Sequence, residues 1–187
     1  MSYPTPQLDF VKVLREEKEA LFAWLNSEAW PFHGSITLAH DEFDKRWDDG
    51  YYMGDHAQAF WIMEAGERIG YIRPFDLTNV HPTGTPLFDI RIKEKHRRRG
   101  VGKETTKWVV DWIFTNYPNV LHVGGSTRYD NWGMRRIFEA TGFAQESHWR
   151  KVWPRHDGVM VDGTGYSITR SDWENGTVTP PDWNNGK

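Results

Sequence analysis

Residues 97–102 read Arg-Arg-Arg-Gly-Val-Gly. Upstream lies the strand-like run Leu87-Phe88-Asp89-Ile90-Arg91-Ile92, and downstream the segment from Lys103 to Asn116 has helical spacing. A turn of this composition forces a strand to hand over directly to a helix whose first amides stay open. The N–H groups of Gly100, Val101, Gly102 and Lys103 can point to one spot because glycine lacks a Cβ. The helix dipole favours an anion there by ~0.3–1 kcal/mol. Arg97, Arg98 and Arg99 add guanidinium forks. The combination suits a pyrophosphate.

The rest of the chain supplies a fold around that turn. Leu8 to Leu14 alternates apolar and polar residues and predicts a first strand, while Glu16 to Leu25 and Leu38 to Trp47 predict helices. Gln58 to Glu64 and Arg68 to Phe75 predict a hairpin around Ala65-Gly66. Val101, Thr105, Trp108 and Trp112, with Val109 and Ile113 beside them, form one face of the helix after the turn. Val120 to Gly124 predicts a short strand. Asp130 or Asn131 caps a helix buried through Met134, Ile137, Phe138 and Thr141 and stopped by Gly142. Glu146 to Trp153 and Gly165 to Arg170 predict a last strand pair joined near Asp157-Gly158. From Ser171 onward a poorly ordered tail, or a strap held by Trp173 and Trp183, is expected. This order gives an α+β chain with a twisted, mixed, mainly antiparallel sheet of about seven strands and helices on both faces.

Composition removes several chemistries. There is no cysteine among the 187 residues, so a thiol nucleophile, a thiolate metal site and disulfides are out. The eight histidines show no ligand spacing, and no metal is expected. The N-terminus lacks a signal-peptide pattern and no apolar run approaches the ~18 residues of a spanning helix, so a cytoplasmic chain with no membrane partner is expected. A net charge of −3 gives no global field for nucleic acid. RNA binding through Arg91 to Arg99 would lack the aromatic pattern of an RNA-binding sheet, and no nucleic-acid partner is expected. Eleven tryptophans exceed what a core of this size needs and permit an aromatic-lined cleft.

Three readings compete for the turn. A Walker A loop fails because Gly102-Lys103 is followed by Glu104. A dinucleotide fingerprint fails because position 105 is threonine. The third pattern, Arg/Gln-x-x-Gly-x-Gly/Ala, is met by Arg97, Gly100 and Gly102. Further on, Asn131-Trp132-Gly133-Met134-Arg135-Arg136-Ile137-Phe138-Glu139-Ala140-Thr141-Gly142-Phe143 opens a helix with asparagine and closes it with aromatic-Glu-x-x-Gly-Phe. In these two motifs, taken together and in this order, the chain resembles the GNAT superfamily of acyl-CoA N-acyltransferases. The later part, with Gly165-Tyr166-Ser167-Ile168 and Asp172-Trp173, is most similar to the branch of the RimJ and RimL ribosomal-protein N-terminal acetyltransferases, to which aminoglycoside N-acetyltransferases are related. The resemblance implies the GNAT fold, with residues 1–170 as a single acetyltransferase domain, residues 171–187 as its tail, and a monomer or homodimer. It implies acetyl-CoA as co-substrate. The pyrophosphate would lie on residues 97–103, the pantetheine arm along the backbone of Ile90 and Ile92 and on Asn131, and the nucleotide end near Arg135 or Arg136.

Acyl transfer to an amine needs a neutral amine, a polarised carbonyl and a stabilised thiolate. With no cysteine, direct attack in a ternary complex is the simple route. The resemblance implies Asp89 as the base, since it lies on the strand before the cofactor loop, where GNAT enzymes often put a carboxylate facing the acceptor amine. A carboxylate in an apolar strand is costly unless it is paired. An ion pair with Arg91 or another arginine is the alternative role. The backbone N–H of Ile90 is the expected oxyanion donor. The family often carries a tyrosine where this chain has Phe138, so Tyr129, Ser126, Thr127 or water must protonate the thiolate. Trp30, Phe32, His33, Tyr51 and Trp149 are expected to bind the acceptor, with Asp48, Asp49 and Asp55 able to attract a cation. An amine of pKa ~8 is roughly a tenth neutral at pH 7, against about one in a few thousand for lysine. A protein or peptide N-terminus is therefore the favoured acceptor. A small amine, such as an aminoglycoside or polyamine, and a non-catalytic acyl-CoA-binding module are the alternatives.

Overall fold

The computed structural model describes residues 5–33, 37–78 and 84–183. The chain runs β1 (Asp9–Lys12), α1 (Lys18–Leu25), α2 (His40–Asp48), β2 (Phe60–Glu64), β3 (Glu67–Phe75), β4 (Leu87–Ile92), α3 (Val101–Asn116), β5 (His122–Arg128), α4 (Trp132–Ala140), β6 (Ala144–Pro154), β7 (Met160–Thr169) and α5 (Arg170–Asn175). Short 3-10 turns at Arg15–Glu17 and Glu94–His96 precede α1 and the basic loop. The element order matches the sequence reading up to β7.

The expected single sheet is divided. One sheet has the order β1-β2-β3-β4 and the other β5-β7-β6, every pairing antiparallel. β4 and β5 run side by side and touch at their starts, where the Gly124 N–H donates to the Pro86 carbonyl at 2.9 Å. No ladder follows, so the two sheets part there. Among the described residues every ladder is antiparallel, so the mixed character expected of the sheet has no counterpart in the pairings.

Two apolar clusters sandwich the four-stranded sheet. On one side Ile62, Ile72, Val109, Ile113, Phe114 and Phe138 join α3 and α4 to the strands. On the other, Leu21, Trp24, Trp30, Phe43, Trp61 and Tyr71 join α1 and α2. Trp24 and Trp30 stack at 5.2 Å and Trp24 meets Trp61 edge-on at 5.8 Å, so several of the tryptophans belong to the core.

Three elements depart from expectation. α3 buries Thr106, Val110 and Phe114 beside the predicted stripe, while Trp108 and Trp112 are only partly buried. Trp108 instead stacks on Phe10 at 4.0 Å, because β1 reaches over this flank of the helix. β5 continues through Ser126-Thr127-Arg128, where polar residues mask a strand that pairs with β7 along its length. After β7 the chain forms α5, with Trp173 against Phe114 and its indole donating to Asp111 at 2.6 Å, whereas Trp183 is exposed.

Candidate active site

The parting of β4 and β5 leaves backbone groups free. Lys93 N–H donates to Ile69 C=O, and Arg91 and Asp89 face Tyr71 and Arg73 across the ladder. In an antiparallel ladder the hydrogen-bonded pairs alternate. The odd residues of β4 therefore pair with β3, and Phe88, Ile90 and Ile92 turn their N–H and C=O groups to the cleft. Among the described residues no backbone group meets the Ile90 N–H. The Ile92 carbonyl accepts from Arg97 Nε at 2.8 Å.

A cavity of about 380 Å³ opens at this cleft. Ile90, Phe88, Ser126, Thr127, Asn131 and Phe138 line one side, and Trp30, Phe32, His33, Tyr51, Tyr71 and Arg73 the other. Four of the five expected acceptor residues thus line one cavity. Trp149 does not: it lies on β6 against Gly163 and Gly165, 43 % exposed. Nor do Asp48, Asp49 and Asp55 line it; its charged residues are Asp89, Arg46, Arg73 and Arg91.

Asp89 sits at the centre of these charges. Its Oδ1 is 2.9 Å from His33 Nε2 and its Oδ2 is 3.2 Å from an Arg91 amino group. Burial pushes its pKa up, but Arg91, the His33 hydrogen bond and Arg73 outweigh that and hold the carboxyl well below the usual carboxylate range. A carboxylate so stabilised is a weak base. The ion pair with Arg91 that the sequence left open is present. With Asp89 ionised, His33 Nε2 donates to it, and His33 Nδ1 is buried with no hydrogen-bond partner among the described residues. The loop bearing His33 is held from three directions: His33 N–H donates to Trp30 C=O, the Trp30 indole to Leu25 C=O, and Arg128 to Pro31 C=O.

The basic turn is less free than its sequence suggested. Arg97 reaches back to Ile92 and lies 3.7 Å from Glu28. Arg99 makes a two-pronged pair with Glu64 at 3.0 and 3.1 Å. Arg98 and Lys103 are exposed, and α3 begins at Gly100 (φ +88°) with no side chain capping it. Among the described residues the amides of Val101, Gly102 and Lys103 have no hydrogen-bond partner. Gly102 has a second reason to be glycine: a Cβ there would stand 2.7 Å from Ile137 Cδ1 and 3.4 Å from Ile92 Cδ1. It lets α3 approach β4 and α4.

The second motif is also partly occupied. Asn131 caps α4, accepting from Met134 N–H at 3.2 Å, and donates to Thr127 at 2.9 Å, which leaves one amide hydrogen free. Arg135 is buried, bonded to the Tyr166 hydroxyl and the Tyr129 carbonyl, with Tyr129 and Trp132 flanking its guanidinium. It is an internal brace; Arg136 is the exposed member of the pair. Phe138 is stacked on Tyr166 at 4.9 Å and occupies the space beside Gly125. Of the hydroxyls on β5, Thr127 is bonded to Asn131, while Ser126 faces the cavity with no partner among the described residues.

Sequence reasoning missed Tyr71 and Arg73. The signal was there: Arg73 is a charge inside Tyr71-Ile72-Arg73-Pro74-Phe75, the same anomaly that singled out Asp89.

A family model described as an acetyltransferase (GNAT) domain matches residues 7–144. The chain belongs to the GNAT acetyltransferase family. It is an acyl-CoA-dependent N-acetyltransferase with acetyl-CoA as co-substrate, as the two motifs implied. Solved GNAT structures share the fold. Spermidine N-acetyltransferase from Vibrio cholerae in complex with CoA and spermine is 18% identical, with a TM-score of 0.75 over 90% of this chain and 99% of that one. A chimera of the Vibrio cholerae enzyme with hSSAT gives 19% identity and a TM-score of 0.78 over the same shares. A dodecameric form of the Vibrio cholerae enzyme gives 19% and 0.74, over 90% of this chain and 97% of that one. Comparison with curated proteins returns no match. Among the described residues, no helix is long and apolar enough to cross a membrane, and no group of three or more potential ligands could hold a metal ion.

Proposed function

We propose that this GNAT enzyme acetylates a small-molecule primary amine by direct attack in a ternary complex, with His33 as proton acceptor and Asp89 as the group that orients it. The observation that carries this reading is the His33–Asp89 contact of 2.9 Å on the wall of a cavity at the β4–β5 cleft. The small-amine reading has better support than the N-terminal α-amine first expected. The cavity volume of about 380 Å³ suits a small ligand, and the neighbouring spermidine acetyltransferases act on small amines.

In this scheme the neutral amine attacks the thioester carbonyl carbon and the C–N bond forms. Negative charge on the carbonyl oxygen is met by the Ile90 N–H. As the C–S bond breaks, the amine proton passes to His33 Nδ1, and the Ser126 hydroxyl, alone or through water, donates to the departing thiolate. Asp89 keeps its charge throughout and stabilises the imidazolium that forms. The amides of Val101, Gly102 and Lys103, with Arg98 and Arg136, would hold the pyrophosphate and nucleotide end.

The test is acetyl-CoA-dependent thiol release with a panel of small primary amines and N-terminal peptides, using wild type and His33→Gln. The variant should lose about 100-fold or more in kcat, the usual contribution of a positioned base, with acetyl-CoA affinity retained. Undiminished turnover in His33→Gln would remove His33 from the chemistry. Turnover confined to peptides would restore the N-terminal reading.

A further inference from the structure

The cavity's unmatched groups form an imprint of what enters it. Arg73 is 3 % exposed, yet it forms no ion pair among the described residues. One amino group donates to the Tyr51 carbonyl at 3.2 Å, its plane lies over the Tyr51 ring at 3.7 Å and near Phe75 at 4.4 Å, and its Nε is buried with no acceptor among the described residues. Two residues earlier on the same face of β3, the Tyr71 hydroxyl is also buried with no partner among the described residues. Burial pushes its pKa well above the ordinary value, so it stays a proton donor. A buried guanidinium nitrogen and a buried hydroxyl left empty are costly, and the cost is recovered when an acceptor arrives.

The charge count agrees. The cavity is lined by Arg46, Arg73 and Arg91 against Asp89 alone. Arg46 is paired with Glu42 and Arg91 with Asp89, which leaves Arg73 as the unmatched charge. The segments outside the description, 1–4, 34–36, 79–83 and 184–187, contain no aspartate or glutamate side chain that could answer it.

We infer that the acceptor amine carries an oxyanion, a carboxylate or a phosphate, which Arg73 and Tyr71 bind while the amine lies at His33 and Asp89. This rests on the reading of the site given above and adds the acceptor's chemical class. Arg73 and Asp89 are direct cross-strand neighbours. Their Cβ atoms are therefore only ~5 Å apart, and the Arg73 charge acts on Asp89, so amine and anion belong to one small molecule, such as an amino acid or a short aminoalkyl phosphate. Trp30, Phe32, Tyr51 and Tyr52 line the remaining wall and suit an apolar body. A polycation is the wrong match: every added ammonium would approach Arg73 and Arg91 with no free carboxylate to meet it.

The experiment compares aromatic and aliphatic amino acids, their carboxamides, aminoalkyl phosphates and spermidine as acceptors, on the full chain with acetyl-CoA. An anionic amine should exceed its neutral amide by at least about 100-fold in kcat/KM, the scale of a buried charge pair. Preference between carboxylate and phosphate identifies the source of the anion. Arg73→Met should raise KM for the anionic acceptor far more than for its amide, with Arg73→Lys restoring part of the difference. The acid–amide comparison needs no variant, so a folding defect in Arg73→Met does not spoil it. Amides or spermidine used as well as, or better than, the acids would overturn the inference while leaving the acetyltransfer scheme intact. Acetyl-CoA binding with no acetylation of any small amine would overturn both.

Discussion

Asp89→Asn separates two duties of one carboxylate. The side chain keeps its volume but loses its charge beside Arg91 at 3.2 Å and its hold on His33 at 2.9 Å. At that separation two unit charges attract by about 5 kcal/mol at an effective dielectric of ~20, and desolvation offsets part of this. The side chains of Asp89 and Arg91 are only 15% and 17% exposed, so solvent screening is slight. Breaking one partner of such a pair costs about 3–5 kcal/mol when burial is complete; some relief by water reduces this to about 2–4 kcal/mol. For a chain of 187 residues each kcal/mol moves Tm by roughly 2–4 °C, so the variant should melt roughly 5–15 °C early. The sign with pH follows from the lowered pKa of Asp89. Its stabilisation is present above the unfolded carboxylate value of ~3.9 and fades as pH falls toward the depressed native value. The gap in Tm between wild type and variant should hold across neutral pH and narrow only in acid. The decisive step is the double variant Asp89→Asn/Arg91→Met. It removes the orphaned cation and should recover most of the melting temperature, while turnover, followed by thiol release, stays low because His33 is no longer oriented. Recovery of both stability and kcat would show that the carboxylate serves only the ion pair. An unshifted Tm in the single variant would refute the electrostatic account altogether.

Other expectations are simpler. Gly100→Ala puts a Cβ at φ +88° and should cost about 1–2 kcal/mol, seen in melting, together with weaker acetyl-CoA binding by calorimetry; unchanged affinity would move the pyrophosphate away from this turn. Phe138→Tyr should not supply the missing acid, because the ring tip already lies 2.4 Å from where a Gly125 Cβ would stand; a loss of about 1–3 kcal/mol from overpacking is expected, and faster turnover without destabilisation would contradict it. Trp149→Ala should leave acceptor KM within about twofold of wild type, as surface changes away from a site usually do, whereas Tyr51→Ala should raise it by removing the ring under Arg73. Equal effects of the two would mean that the acceptor lies elsewhere.

Much of the fold could be read from the chain because its signals are local. The glycine turn, the Asn131 cap and the Ala65-Gly66 hairpin each depend on a few adjacent residues, and each is where it was expected. The division of the sheet could not be read this way. It depends on β4 and β5 being joined, among the described residues, by the Gly124 N–H to Pro86 C=O hydrogen bond rather than by a ladder, between residues far apart in sequence. The same limit governs the site. Asp89 stood out as a lone carboxylate in an apolar strand, but its weak basicity comes from Arg91, His33 and Arg73, two of them on other segments. The three arginines of the turn looked equivalent in sequence; Glu64 and Glu28 engage Arg99 and Arg97, and leave Arg98 exposed. Motif residues also proved to have structural duties, Gly102 as the contact between helices and Asn131 as a cap.

Kinship in fold carries the cofactor further than it carries the acceptor, and the reason is physical. In the proposed site the cofactor is held largely by backbone, by the amides opening α3 and the unpaired edge of β4. In the same proposal the acceptor is held by side chains of the same strands, and these can change without disturbing the ladder. Arg73 and Asp89 face each other across β3 and β4; exchanging either for a residue of other charge would alter the field in the cavity while leaving the register of the sheet intact. On the inference drawn above, a relative with this fold could serve a polyamine while a cavity with Arg73 buried and unpaired would disfavour one. On that inference a single cross-strand pair sets the charge sign of the acceptor, and it is on that pair that the proposed reading of the substrate depends.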